Sequence, residues 1–211
     1  MERLLHPRVL AVLALASLLL VGLVGYRAWH LTRGAPLDDF GPAPAFALTD
    51  QLGRPVTSEA LRGRVVVVDF IYTRCRDSCP LLTARMQALQ DRLRREGLLG
   101  ARVQLLSLTV DPGYDTPAVL RTYAEQHEAD PAAWRFLAGP EDALRSVIVQ
   151  GFYQGVVPLP TPEAGADEPA DLVMHSNRFV LIDPQGRMRA FYDALALDQD
   201  QVVRDIRQVA R

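Results

Sequence analysis

The chain contains no lysine: all 23 of its basic residues are arginine. That reads as GC-rich coding bias and carries no information on mechanism. Cysteine is nearly absent too, with two in 211 residues, which excludes a disulfide-stapled scaffold and a closed four-cysteine zinc site. Only four histidines are present, so few imidazoles are available as bases or ligands. There is no excess of either charge. A net charge of −2 gives no basic surface for nucleic acid. No internal repeat is visible, which excludes a repeat architecture.

What the chain does have is apolar content, 49% of its residues, enough for one domain with a substantial core beside a targeting segment. Residues 1–8 form a short basic head. Residues 9–26 follow without a charge; as a helix that run is about 27 Å long and spans a bilayer core. Tyr26 and Trp29 stand where an interfacial aromatic pair belongs. The small-residue site at 14–16 lies inside the apolar run rather than after it, so an uncleaved anchor is expected, not a removed signal peptide. Arginines flank both ends. The soluble part after a signal-like head sets the expected orientation, N-terminus inside and domain outside. Residues 27–44, rich in Gly, Pro, Ala and Asp, read as a tether, and residues 45–211 as the folded domain.

Within that domain, strand and helix patterns alternate. A hairpin is expected at 46–56 and a brief helix through Leu61. Residues 64–71, with four successive valines, read as a central strand covered on both faces. Leu82, Met86, Leu89 and Leu93 make a helix stripe ended by Gly97. A second buried strand is expected at 103–110, then a helix opened by Asp115 or Thr116 with Pro117 in its first turn. Trp134 begins a short strand, and residues 140–149 a helix. Asp183-Pro184-Gln185-Gly186 predicts a hairpin, and Val202, Val203, Ile206 and Val209 a last amphipathic helix. The pattern predicts an α/β sandwich of the thioredoxin type, with a central mixed sheet flanked by helices. Residues 158–171 carry four prolines and four acids and read as a long acidic loop.

Both cysteines lie at one strand-to-helix junction, Cys75 and Cys79, with three residues between them. On a nascent helix that spacing sets the side chains one turn apart. The helix N-terminus, with Arg74 and Arg76, favours thiolate there. A structural disulfide closing so small a loop stabilises by only roughly 2 kcal/mol. Two functional readings remain: a dithiol oxidoreductase, whose usual mark has two intervening residues rather than three, and a copper site. Paired thiolates select Cu(I), and a nearby imidazole also suits Cu(II). Among the histidines, His6 precedes the apolar run, His30 lies just beyond it, and His127 sits near a helix end. His175 lies between the acidic loop and a strand, the best placed of the four for the cysteines.

Three motifs in order, Phe70-Ile71-Tyr72-Thr73-Arg74-Cys75-Arg76-Asp77-Ser78-Cys79-Pro80, Asp111-Pro112-Gly113-Tyr114-Asp115-Thr116-Pro117, and Val173-Met174-His175-Ser176 with Asp183-Pro184-Gln185-Gly186, resemble the SCO/SenC family over residues 38–208. The resemblance implies a membrane-anchored, thioredoxin-like copper chaperone of cytochrome c oxidase. It implies Cys75 and Cys79 as copper thiolates and His175 as third ligand. It also implies an upstream copper donor and, as acceptor, the dinuclear copper centre of oxidase subunit II or another copper protein. The chain departs from the family in Arg74 and Arg76 around the first cysteine and in Met174 before the histidine. Met174 is either a fourth soft donor or a packed neighbour. Thioredoxin-type oxidoreductases place a cis-proline opposite the cysteines, and Met174-His175-Ser176 has none, which favours copper handling over general disulfide exchange. The expected protein is thus a metallochaperone at the outer face of the cytoplasmic membrane. The alternatives are a thiol–disulfide reductase acting on the oxidase's copper-ligand cysteines, and a redox or copper sensor; whether the protein is an enzyme stays open.

Overall fold

The structure, a computed structural model, describes residues 7–32, 36–75, 79–158, 172–174 and 177–210. It falls into two units, residues 1–36 and residues 37–211.

The first unit is one helix, α1 (Pro7–Thr32). Its described side chains, those of residues 11–27, are exposed throughout. Counted over described residues, no helix is long and apolar enough to cross a membrane.

The second unit is built on a seven-stranded mixed sheet. Its first strands, β1 (Ala47–Asp50) and β2 (Pro55–Thr57), form the expected hairpin. Asp50 holds the turn: its carboxylate accepts the N–H groups of Leu52 and Arg54, both at 2.9 Å. A single 3-10 turn, Glu59–Leu61, leads to β3 (Val65–Ile71), buried at every position. Then come α2 (Cys79–Arg95), β4 (Val103–Thr109), α3 (Pro117–Gln126) and β5 (Trp134–Ala138). The short helix α4 (Glu141–Arg145) runs on as a π-helix over Ser146–Gly151. A two-stranded ribbon follows, β6 (Val156–Pro158) with β7 (Leu172–Met174), then β8 (Arg178–Ile182), β9 (Met188–Asp193) and α5 (Gln199–Val209).

The sheet order is β2-β1-β5-β4-β3-β8-β9. Strands β3, β4 and β5 run parallel; β8 joins β3 antiparallel and β9 joins β8. Parallel neighbours need crossovers, and α2 and α3 supply them. Those two helices lie side by side, joined by the Thr83–Tyr123 hydrogen bond, while the segment after α4 brings Phe152 against Phe70 of β3. Strands β3 and β4 are buried at every position, which is why both are largely apolar. Leu82, Met86, Leu89 and Leu93 of α2 are fully buried, as their spacing predicts. Thr116 caps α3, accepting from the Val119 N–H at 3.4 Å with Pro117 in the first turn.

Two features lay beyond the patterns. Where β1 ends, the buried Gln51 side chain continues its pairing: Nε2 donates to the Trp134 carbonyl at 3.2 Å, and Oε1 accepts from the Phe136 N–H at 2.9 Å. Residues 37–43 lie as a strap along β9. The Phe40 N–H donates to the Met188 carbonyl (3.0 Å) and the Met188 N–H to the Gly41 carbonyl (2.9 Å), while Phe40 meets the Phe191 ring edge-on at 5.0 Å.

Candidate functional site

The central strand β3 runs out at Ile71 beside the end of β4, and the chain turns there before α2. The Cys75 N–H closes this turn on the Tyr72 carbonyl at 3.2 Å. Cys75 thus lies ahead of the helix, while Cys79 is its first residue. The two do not share a helix face. Instead the Cys79 N–H donates to the Cys75 sulfur at 3.3 Å, so one cysteine supplies an acceptor to a helix end that otherwise leaves its N–H groups unpaired. Both side chains are buried, Cys75 to 8% exposure and Cys79 to 2%. They stand as thiols, not as a disulfide.

Charge at the site differs from the expectation that the helix end and the arginines favour thiolate. The Cys75 side chain beside it, and then burial, push the Cys79 thiol far above the ordinary thiol range. The charge of Arg74 is engaged elsewhere. Its Nε and Nη2 both donate to Asp111 Oδ2, at 3.1 and 2.5 Å, and its guanidinium lies 4.3 Å from the centre of the Tyr114 ring. A buried thiol such as that of Cys79 gives up its proton readily only when a cation such as a metal ion replaces it.

Asp111 and Asp115 belong to the turn after β4. Asp115 is fully buried and collects three donors from two segments: the Thr73 N–H (3.1 Å), the Thr73 hydroxyl, and the Thr109 hydroxyl (2.6 Å). Burial still raises its pKa despite those bonds. The sequence offers Asp115 or Thr116 as the cap of α3; Thr116 takes that place.

Asp69 was not singled out from sequence, although a lone carboxyl within Val-Val-Val-Val-Asp-Phe-Ile was the signal. It is completely buried, and among the described residues neither carboxyl oxygen meets a partner in hydrogen-bond geometry. Ser107 lies directly across on β4 but accepts the Trp134 indole N–H at 2.9 Å. Burial raises the Asp69 pKa to about 7, and the nearby Ser107 hydroxyl offsets only part of that cost. Between α2 and α3, Thr83 and Tyr123 share a hydrogen bond of 2.8 Å, and burial lifts the Tyr123 phenol to about 12.

Of the other candidate residues, His127 ends α3 with its ring 4.5 Å from that of Tyr123, and burial lowers its pKa. Arg76, Asp77, Ser78, His175 and residues 159–171 of the acidic loop lie outside the described residues. Met174 ends β7, and its side chain is likewise outside the description. Among the described residues, no three His, Cys, Asp or Glu side chains gather as a metal site.

A mixed sheet with a parallel core, flanked by helices and carrying a thiol pair at the junction of its central strand with the next helix, defines a thioredoxin-like protein. A family profile named SCO1/SenC matches residues 38–211, and the chain belongs to that family. The chain is 29% identical to the SCO1 protein homolog of Bacillus subtilis over 166 residues, 78% of this chain and 81% of that one. It superposes with TM-score 0.69 on BsSco, described as a member of the Sco family of cytochrome c oxidase assembly proteins with a disulfide switch. Identity there is 27%, covering 83% of this chain and 98% of that one. Arabidopsis thaliana ScoI, solved with copper bound, matches with TM-score 0.64 and 25% identity, over 80% of this chain and 99% of that one.

Proposed function

We propose that this protein is a copper carrier in which the sulfurs of Cys75 and Cys79 and an imidazole nitrogen of His175 hold the metal, for delivery to a copper site of cytochrome c oxidase. The observation that carries this reading is the buried thiol pair, with the Cys75 sulfur 3.3 Å from the Cys79 amide nitrogen. Two soft donors on adjacent segments suit Cu(I), and one imidazole completes a low-coordinate shell that also accepts Cu(II). A shell of so few ligands lets an acceptor with more donors take the ion by exchange. Relatives that bind copper or serve in oxidase assembly support the reading. His175 follows β7, whose pairing with β6 leaves the acidic loop between them.

The anchor belongs to the same proposal. The uncharged run at residues 9–26 begins two residues ahead of the described side chains of α1. As a membrane-embedded helix it places the thiol domain on the outer side of the cytoplasmic membrane, next to oxidase subunit II.

The test is a copper titration of the full chain in detergent, with Cys75→Ser, Cys79→Ser and His175→Ala beside the parent. Each cysteine variant is expected to lose Cu(I) binding by several orders of magnitude, and His175→Ala to lose Cu(II) while keeping weakened Cu(I). Full copper binding by His175→Ala defeats the three-ligand site. A second reading, a reductase for the oxidase's copper-ligand cysteines, is favoured by the closeness of the two thiols. It expects His175→Ala to support oxidase maturation normally and Cys75→Ser to abolish it.

A further inference from the structure

We infer that Asp111 and Asp115 form a clamp on Thr73 and Arg74 that fixes the Cys75 sulfur against the start of α2. They are positioning residues for the thiol pair. The inference deepens the copper-carrier reading and rests on it for the purpose of the pair, though not for the clamp itself.

The two thiols are held very differently. Cys79 is built into a 17-residue helix whose core face is buried, so its place is set by packing. Cys75 lies in a turn that belongs to no strand or helix. Left to itself, such a segment leaves a side chain free to move by ångströms, and a two-sulfur site needs far finer placement. The residues just before Cys75 are where that freedom is removed. Thr73 gives both its N–H and its hydroxyl to Asp115, 42 positions along the chain. Arg74 gives two donors to one oxygen of Asp111 and lies over Tyr114.

The receiving turn is itself rigid. The Asp115 N–H donates to the Asp111 carbonyl (2.9 Å), the Asp111 N–H to the Thr109 hydroxyl oxygen (3.0 Å), and the Val110 N–H to the Ile71 carbonyl (2.9 Å). Helix capping does not account for the buried carboxylate, because Thr116 caps α3. A carboxyl kept at zero exposure is costly unless its donors are worth the burial. Three donors meet this one, and two of them come from the residue two places before Cys75.

The experiment compares the full chain in detergent with Asp115→Asn and with the charge-neutral Thr73→Val. Reduced, metal-free protein is alkylated with iodoacetamide, and tandem mass spectrometry follows Cys75 and Cys79 separately. Asp115→Asn is expected to speed alkylation of Cys75 about tenfold, the scale of one lost charged hydrogen bond, with Cys79 unchanged. Thr73→Val, which removes the hydroxyl alone and keeps the fold if Asp115→Asn does not, is expected to give about threefold. Cu(I) affinity, read against a chromophoric chelator, falls in the same order. Equal acceleration at both cysteines marks general loosening and overturns the clamp, as does an unchanged Cys75 rate. A split alkylation rate in a protein that takes up no copper upholds the clamp and sinks the carrier reading.

Discussion

At the scale of the residue, Asp69 is the most exacting position after the cysteines. Its pKa is raised from 3.8 to about 7 by burial, so between those values the folded protein keeps a proton that the unfolded chain releases. The stability tied to that proton is fully present below the lower value. It is lost as pH rises through the upper one, to the extent of about 4 kcal/mol. Urea unfolding from pH 4 to pH 8 is expected to show this decline, and Asp69→Asn to flatten it; a parent curve with no fall there rules the effect out. The sequence displayed this carboxyl openly inside an apolar strand. That no partner meets it among the described residues was not legible, because what lies opposite depends on the register that sets Ser107 against it. The same limit applied to the cysteines. Their spacing was compatible with a shared helix face, but the helix begins at the second of them, and only the turn onto Tyr72 determines that.

At the scale of the element, helices and strands with strong local signals stood clear in the sequence. Four valines gave β3, Pro117 gave the start of α3, and Asp183-Pro184-Gln185-Gly186 gave the β8–β9 turn, whose Gly186 has φ +75°. Elements decided by distant packing did not. The helix expected over residues 140–149 widens into a π-helix that ends at Gly151, and the ring of Phe152 just after it meets Phe70 at 5.4 Å. Strands β6 and β7 were hidden because each has only three residues. Gln51 belongs with these, since its worth comes from a strand 83 residues away. Gln51→Ala leaves a buried N–H and a buried carbonyl of β5 without partners and is expected to cost about 2–3 kcal/mol. The denaturation midpoint shows this directly: the cost lowers it, and an unmoved midpoint means water has taken the amide's place.

At the scale of the whole molecule, family membership rests on motifs spread along most of the chain, and no single one carries it. Their spatial relation was not legible; the structure brings the first two together where Thr73 and Arg74 bind Asp115 and Asp111. The third runs through His175 and Ser176, which lie outside the described residues, so its part in the site is a matter for the copper titration. The strap over β9 has a consequence for the molecule's behaviour in company. A bare outer strand offers its unpaired amides and carbonyls as a template for another chain. Here one margin of the sheet is a three-residue strand opened by Pro55, and the other is covered by residues 37–43. A version of the protein starting at residue 45 is therefore expected to form oligomers as its concentration rises. Light scattering would show the growth, whereas a version starting at residue 36 should stay monodisperse.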